Sequence, residues 1–193
     1  MQLKTSWPAL IGLQLVVLVV CCGCPALSSI HPASQLAQSE SIPEYLLGTW
    51  DVLEFLGISG EEVATREVVI SRGPDGSLTF SFTQGAASVE GTASLATLQG
   101  ETILSILSGG PEESWLLARL SFDEEQQVLE VTSLSHPEVV RDIDLGLVEG
   151  EVFRFHASEL AKLTASTDEL RAYLSAHQDI FGENLIVLRK RTP

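Results

Sequence analysis

Cysteine is missing from most of this chain. Cys21, Cys22 and Cys24 are the only three, and residues 25–193 contain none. That excludes a disulfide framework and a thiol nucleophile anywhere after residue 24. A domain of roughly 150 residues buries close to 70% of its unfolded surface, so it folds without such staples. Basic residues are scarce as well: 11 Lys plus Arg stand against 26 Asp plus Glu, a formal net charge of −15. A surface so acidic repels phosphate backbones and anionic headgroups alike, which argues against nucleic acid and against electrostatic membrane docking. Long apolar runs are also lacking. The best, residues 9–20, is interrupted by Gln14 and falls short of the roughly 20 residues that cross a bilayer.

Catalytic and metal-binding patterns are equally thin. Histidines stand at His31, His136, His156 and His177, without H-x-H or H-E-x-x-H spacing. His156 follows strand-like alternation and His177 falls on the apolar face of a helix, so both read as packing or capping residues. No G-x-S-x-G turn, phosphate-binding loop or dinucleotide glycine pattern occurs. The acidic groups Glu61-Glu62, Glu112-Glu113 and Asp123-Glu124-Glu125 flank turns and lack the alternating oxygens and central glycine of a calcium loop. The expectation is a non-enzymatic protein with no cofactor and no bound metal.

What is present begins at the N-terminus. Lys4, the apolar stretch and the cysteines admit three readings: a short uncleaved anchor, a secretory signal cut after Ala26, or a lipoprotein signal. Residues 18–24, L-V-V-C-C-G-C, resemble a bacterial lipobox, and small Gly23 before Cys24 gives the best register. That resemblance implies signal peptide 1–23 and lipidation of Cys24. Removing residues 1–23 takes away only one charge, Lys4, and leaves the mature chain more acidic still. Residues 24–43, rich in Ser, Pro, Ala and Gln, read as a flexible tether of about 24 Å root-mean-square span. Residues 44–193 then form a single domain.

Short alternating runs separated by turn residues recur through that domain, the spacing of an antiparallel sandwich or barrel. In residues 77–83, SLTFSFT, the apolar Leu78, Phe80 and Phe82 alternate with hydroxyls. The turn GPDG (73–76) joins that run to residues 65–72 as a hairpin. Further strands are expected at 46–55, 88–98, 102–108, 115–122, 128–134, 151–156 and 184–191. Pro137 can open a short helix to residue 142, and SELAKL from Ser158 reads as a helical turn. The clearest helix is 166–178, where Ser166 and Glu169 are spaced as a capping box. Arg189, Lys190 and Arg191 read as protection of an exposed sheet edge, with a specific anionic partner as the alternative.

Gly48-Thr49-Trp50 is similar to the G-x-W opening of lipocalin-like domains, in which the tryptophan starts the first strand and plugs one end of a small barrel. The resemblance implies a basic partner for Trp50, for which Arg154 and Arg189 are the candidates. The T-D-Y motif of true lipocalins is missing. Residues 162–191, KLTASTDELRAYLSAHQDIFGENLIVLRKR, resemble the ending of a group of uncharacterised bacterial lipoproteins. That likeness implies location and fold and transfers no active site.

The fold expected is therefore mainly β (α+β): an antiparallel sheet or small lipocalin-like barrel of eight to nine strands, with one C-terminal helix packed before a closing strand. The function expected is that of a lipid-anchored module of the bacterial cell envelope, facing the periplasm or exterior. It would bind an envelope protein or serve a structural role, with a carrier of a small apolar ligand as the alternative. The aromatic set available to line a carrier is Trp50, Phe55, Phe80, Phe82, Trp115, Phe122, Phe153 and Phe155.

Overall fold

A computed structural model describes residues 27–34, 42–60, 66–74, 76–108, 114–155 and 158–191. Eight antiparallel strands close into a barrel: β2 (Gly48–Phe55), β4 (Arg66–Arg72), β5 (Leu78–Gln84), β6 (Ala87–Leu98), β7 (Glu101–Ser108), β8 (Ser114–Asp123), β9 (Val128–Leu134) and β12 (Phe181–Lys190). The ring runs β2-β4-β5-β6-β7-β8-β9-β12 and returns to β2 through the pairing of Lys190 with Trp50. The hairpin from β6 to β7 follows from turn chemistry, with positive-φ Gln99 and Gly100 joining the strands. The two-residue β3 (Ile58–Ser59) folds back on β2.

Side chains alternate across this wall with period two. Trp50, Val52, Val68, Ile70, Leu78, Ala93, Leu95, Leu104, Ala118, Leu120, Leu129, Val131 and Leu188 point inward and form one core. Gly91 lies directly opposite Phe80, and the ring lies over the glycine. A Cβ built at residue 91 would fall 2.2 Å from Cζ of Phe80, which no real contact tolerates.

Outside the barrel, β6, β7 and β8 carry a second core on their other face. Ala96, Leu98, Ile103, Trp115 and Leu117 pack there against Leu163, Leu170, Tyr173, Leu174, Ile180 and Phe181. Two helices cover it. The first, α1 (His136–Asp144), starts with Pro137 in its first turn and buries His136, Val139, Val140 and Asp142. The second, α2 (Thr167–Ala176), lies within the expected 166–178 and has Ser166 as N-cap in the expected capping box with Glu169. Asp142 is 1% exposed and would be costly as a lone charge. It accepts from the Tyr173 hydroxyl at 2.9 Å and from Arg141 at 3.0 Å, which together compensate that burial.

Three expectations are corrected here. SELAKL is not a helical turn but β11 (Ser158–Leu163), antiparallel to β10 (Gly150–Phe155). Its Ala161 and Leu163 are buried, and alternate burial is the period of a strand. The proposed tether is partly structure: β1 (Leu27–Ser29) lies parallel to β11 and meets β8 at Trp115. Residues 32–34 then cross the outside of β6 and β7, where the cross-strand pair Ser94 and Ser105 leaves room for backbone. Ser94 donates to the Ser34 carbonyl at 2.8 Å, and the Ala33 amide donates to Ser105 at 3.0 Å. Small buried polar residues let a polar-looking segment dock, because its backbone groups find partners. Finally, Arg189, Lys190 and Arg191 guard no edge, since β12 lies between β2 and β9. Arg191 pairs with Asp51 and Glu67 and so clips the closing strand to its neighbours.

Replacing Gly91 by alanine should destabilise the barrel by about 1–3 kcal/mol, read as a lower urea midpoint. Changing Phe80 to leucine in the same chain should recover part of that loss. A pH dependence follows from His136, whose pKa is lowered chiefly by burial, against an opposing pull from Glu159. The folded state therefore resists protonation while the unfolded chain takes a proton near pH 6.5. Stability should be constant well above that value and fall as the pH drops through it toward about 5.5. In His136→Leu the urea midpoint should become flat across this window.

Candidate functional site

The two ends of the barrel differ. At one end, the chain before β2 forms a 3-10 helix, Glu44–Leu46, that lies across the opening with Ile42 and Leu46 buried. Trp50 is fully buried beneath it and donates its indole N–H to the Leu46 carbonyl at 3.0 Å. Tyr45 stacks on Phe122 at 4.6 Å, and Phe122 meets Trp50 edge-on at 6.2 Å. The basic partner of Trp50 is Lys190, neither Arg154 nor Arg189. Its ammonium sits 5.5 Å from the indole centroid and donates to the Tyr45 carbonyl at 2.9 Å. Lys190 pairs with Trp50 in register, which brings the two together. Arg154 instead straps Asp144 of α1 to Glu159 of β11, and Arg189 is exposed.

The other end, the mouth, is lined by residues that are only partly covered among those described. Its inward positions by register are Phe55, Phe80, Phe82, Val89, Ile106 and Ile186. All six are only half-buried, whereas Trp50, Val52, Ile70, Leu78, Leu95, Leu120 and Leu129 nearer the Trp50 end are buried, with Phe122 half-buried beside them. Phe55 and Phe82 touch at 5.5 Å between centroids. Arg66 shares the inward face of β4 with Val68 and Ile70, and its guanidinium lies 5.2 Å from the centre of the Phe55 ring. The Nε of Arg66 is buried and finds no hydrogen-bond partner among the described residues.

The aromatic set anticipated for a lining is thus divided by function. Trp50 and Phe122 belong to the plug, Phe55, Phe80 and Phe82 to the mouth, and Trp115 to the outer core. Phe153 is exposed on β10. A separate shallow groove of about 370 Å³ runs along the outer wall, bounded by Val69, Ser71, Thr79, Ser81, Glu90 and Thr92. Its hydroxyls already bond one another, Ser71 to Thr79 at 2.8 Å and Ser81 to Ser88 nearby at 3.0 Å.

Among the remaining candidates, His31 is exposed, His136 is buried at the start of α1, and His177 packs at a tilt against Tyr173, 4.9 Å between centroids, at the end of α2. Cys24, His156, Glu61-Glu62 and Glu112-Glu113 lie outside the described residues. Asp123, Glu124 and Glu125 make the turn between β8 and β9, where Asp123 caps the Gln126 amide at 2.9 Å. No group of three or more His, Cys, Asp or Glu among the described residues is arranged to hold a metal ion. Sequence reasoning missed Arg66 and Lys190. The signal for Arg66 was there in the alternation of Arg66, Val68 and Ile70, which places a cation on the inner face.

Truncating Lys190 to alanine should cost about 1–3 kcal/mol in urea unfolding, since it removes both the cation–π contact and the only side-chain donor to the Tyr45 carbonyl described here. No family model matches this chain, and neither does any curated protein or solved structure.

Proposed function

We propose that this chain is a lipid-anchored protein of the bacterial cell envelope whose barrel is a non-enzymatic binding module. Its ligand site is the mouth, and the ligand is a small apolar molecule. The observation that carries this reading is the asymmetry of the barrel. One end is plugged by Trp50 and the 3-10 helix, while six large inward residues at the other remain half-buried. Inward apolar surface that a fold leaves uncovered is what a bound apolar group would cover. The buried core beneath limits the depth, so the mouth suits the end of a chain or a single ring. The anchor part of the reading rests on the lipobox resemblance around Cys24.

A second reading, docking of an envelope protein, is favoured by a different surface. Leu145 and Leu147, 66% and 54% exposed, stand at the turn between α1 and β10, and Phe153 is exposed on β10. That strand is the free end of the sheet order, and a free edge can accept another strand.

Native mass spectrometry of the chain purified from membranes distinguishes the two. A reproducible added mass in the range of a small apolar molecule, lost on denaturation, is expected for the first reading. A bare protein mass, together with crosslinks from residues 145–153 to another envelope protein, would transfer the function to the second.

A further inference from the structure

We infer that the mouth selects an anionic single-chain amphiphile, and that Arg66 is the residue that holds its carboxylate head. The inference rests on the mouth being the ligand site. Arg66 is a fixed cation turned toward the inside of an apolar barrel in a protein otherwise dominated by acidic groups. One face of its guanidinium is occupied by the ring of Phe55. Stacking of that kind fixes the plane of the fork and leaves its N–H edge for an in-plane acceptor.

That edge includes the buried Nε, which no described residue satisfies. A buried donor without a partner is destabilising, and an acceptor supplied by a ligand would relieve it. Arg66 also takes no part in the ion pairs among the described residues, whereas Arg72 pairs with Glu44 and Arg119 with Glu101; Arg189, likewise without one there, is exposed to solvent. The neighbouring inward residues Phe55, Phe82 and Val68 supply no oxygen, and the amide of Gln84, opposite Arg66 in register, is exposed and does not bond the buried Nε. A ligand carboxylate would therefore provide both the missing acceptor and the missing counter-charge in one planar, two-point contact.

The same surroundings set the rest of the ligand. Phe80, Phe82, Ile106 and Ile186 offer apolar contact around the same mouth, and the plugged far end denies passage through the barrel. A chain carrying one anionic group is accommodated there, while a free small anion lacks the apolar contact to overcome the negative field of the surface.

The test uses the full chain in nanodiscs of zwitterionic lipid, with retention of radiolabelled laurate and dodecanol measured against empty discs. Laurate should be retained at one per protein. Arg66→Gln should weaken it roughly tenfold or more, Arg66→Lys should restore part of the loss, and dodecanol should respond to neither change. Near-UV circular dichroism of the variants separates a folding failure from a binding loss. Equal laurate retention by wild type and a folded Arg66→Gln overturns the role of Arg66 while leaving the mouth as an apolar site. Failure to retain either probe above empty discs overturns the mouth reading itself.

Discussion

The structure depends on one strand having three neighbours. Along β8, the later residues pair with β9 and so close the barrel, but the pairing begins only at Ala118. Before that point β9 has parted from it, and Trp115 finds Ser29 of β1 instead. Without β1 the backbone of β8 at this fork would face an unpaired edge, which a buried strand does not tolerate. With β1 in place, β11 and β10 follow in order, and the outer core is roofed on one side. Barrel closure and the outer core thus share a wall, and neither is a separate folding unit.

That shared wall explains which parts of the fold were legible in the sequence. On β5, one face meets the core and the other meets solvent, so SLTFSFT alternates cleanly and its direction could be read at once. On β7 and β8, both faces are buried, so TILSILS and WLLARL read as near-continuous apolar runs. Their existence as strands was evident, but the outer core they imply was not. Residues 158–163 misled for a related reason. Leu160 and Leu163 have helical spacing, and only the pairing with β1 and β10 turns Ala161 and Leu163 inward. The capping box of Ser166 and Glu169 was legible because it is wholly local.

Polar residues at buried positions were the least legible. Ser94, Ser105 and Asp142 look like surface residues in a linear reading, yet each is fully buried and each joins segments distant in sequence. Their role depends on what crosses above them, which no local pattern encodes. Lys190 and Arg66 pose the same difficulty at the two ends of the barrel. One was masked by a basic cluster that suggested solvent, the other by a single cation in an otherwise ordinary strand. Pairing across strands decides both: register sets Lys190 beside Trp50, and the inward face of β4 brings Arg66 over the Phe55 ring.

The docking of β1 has a mechanical corollary. If Cys24 carries the acyl chains, only three peptide units separate it from Leu27, a contour of about 11 Å at most. A tether of twenty residues would let a domain swivel freely above the headgroups. Three residues ending in a strand fixed between β8 and β11 would not. The barrel would then ride on the bilayer with a restricted set of orientations, searching a surface rather than a volume for whatever it meets. Lengthening the spacer between residues 24 and 27 would change that geometry without touching a single contact of the fold.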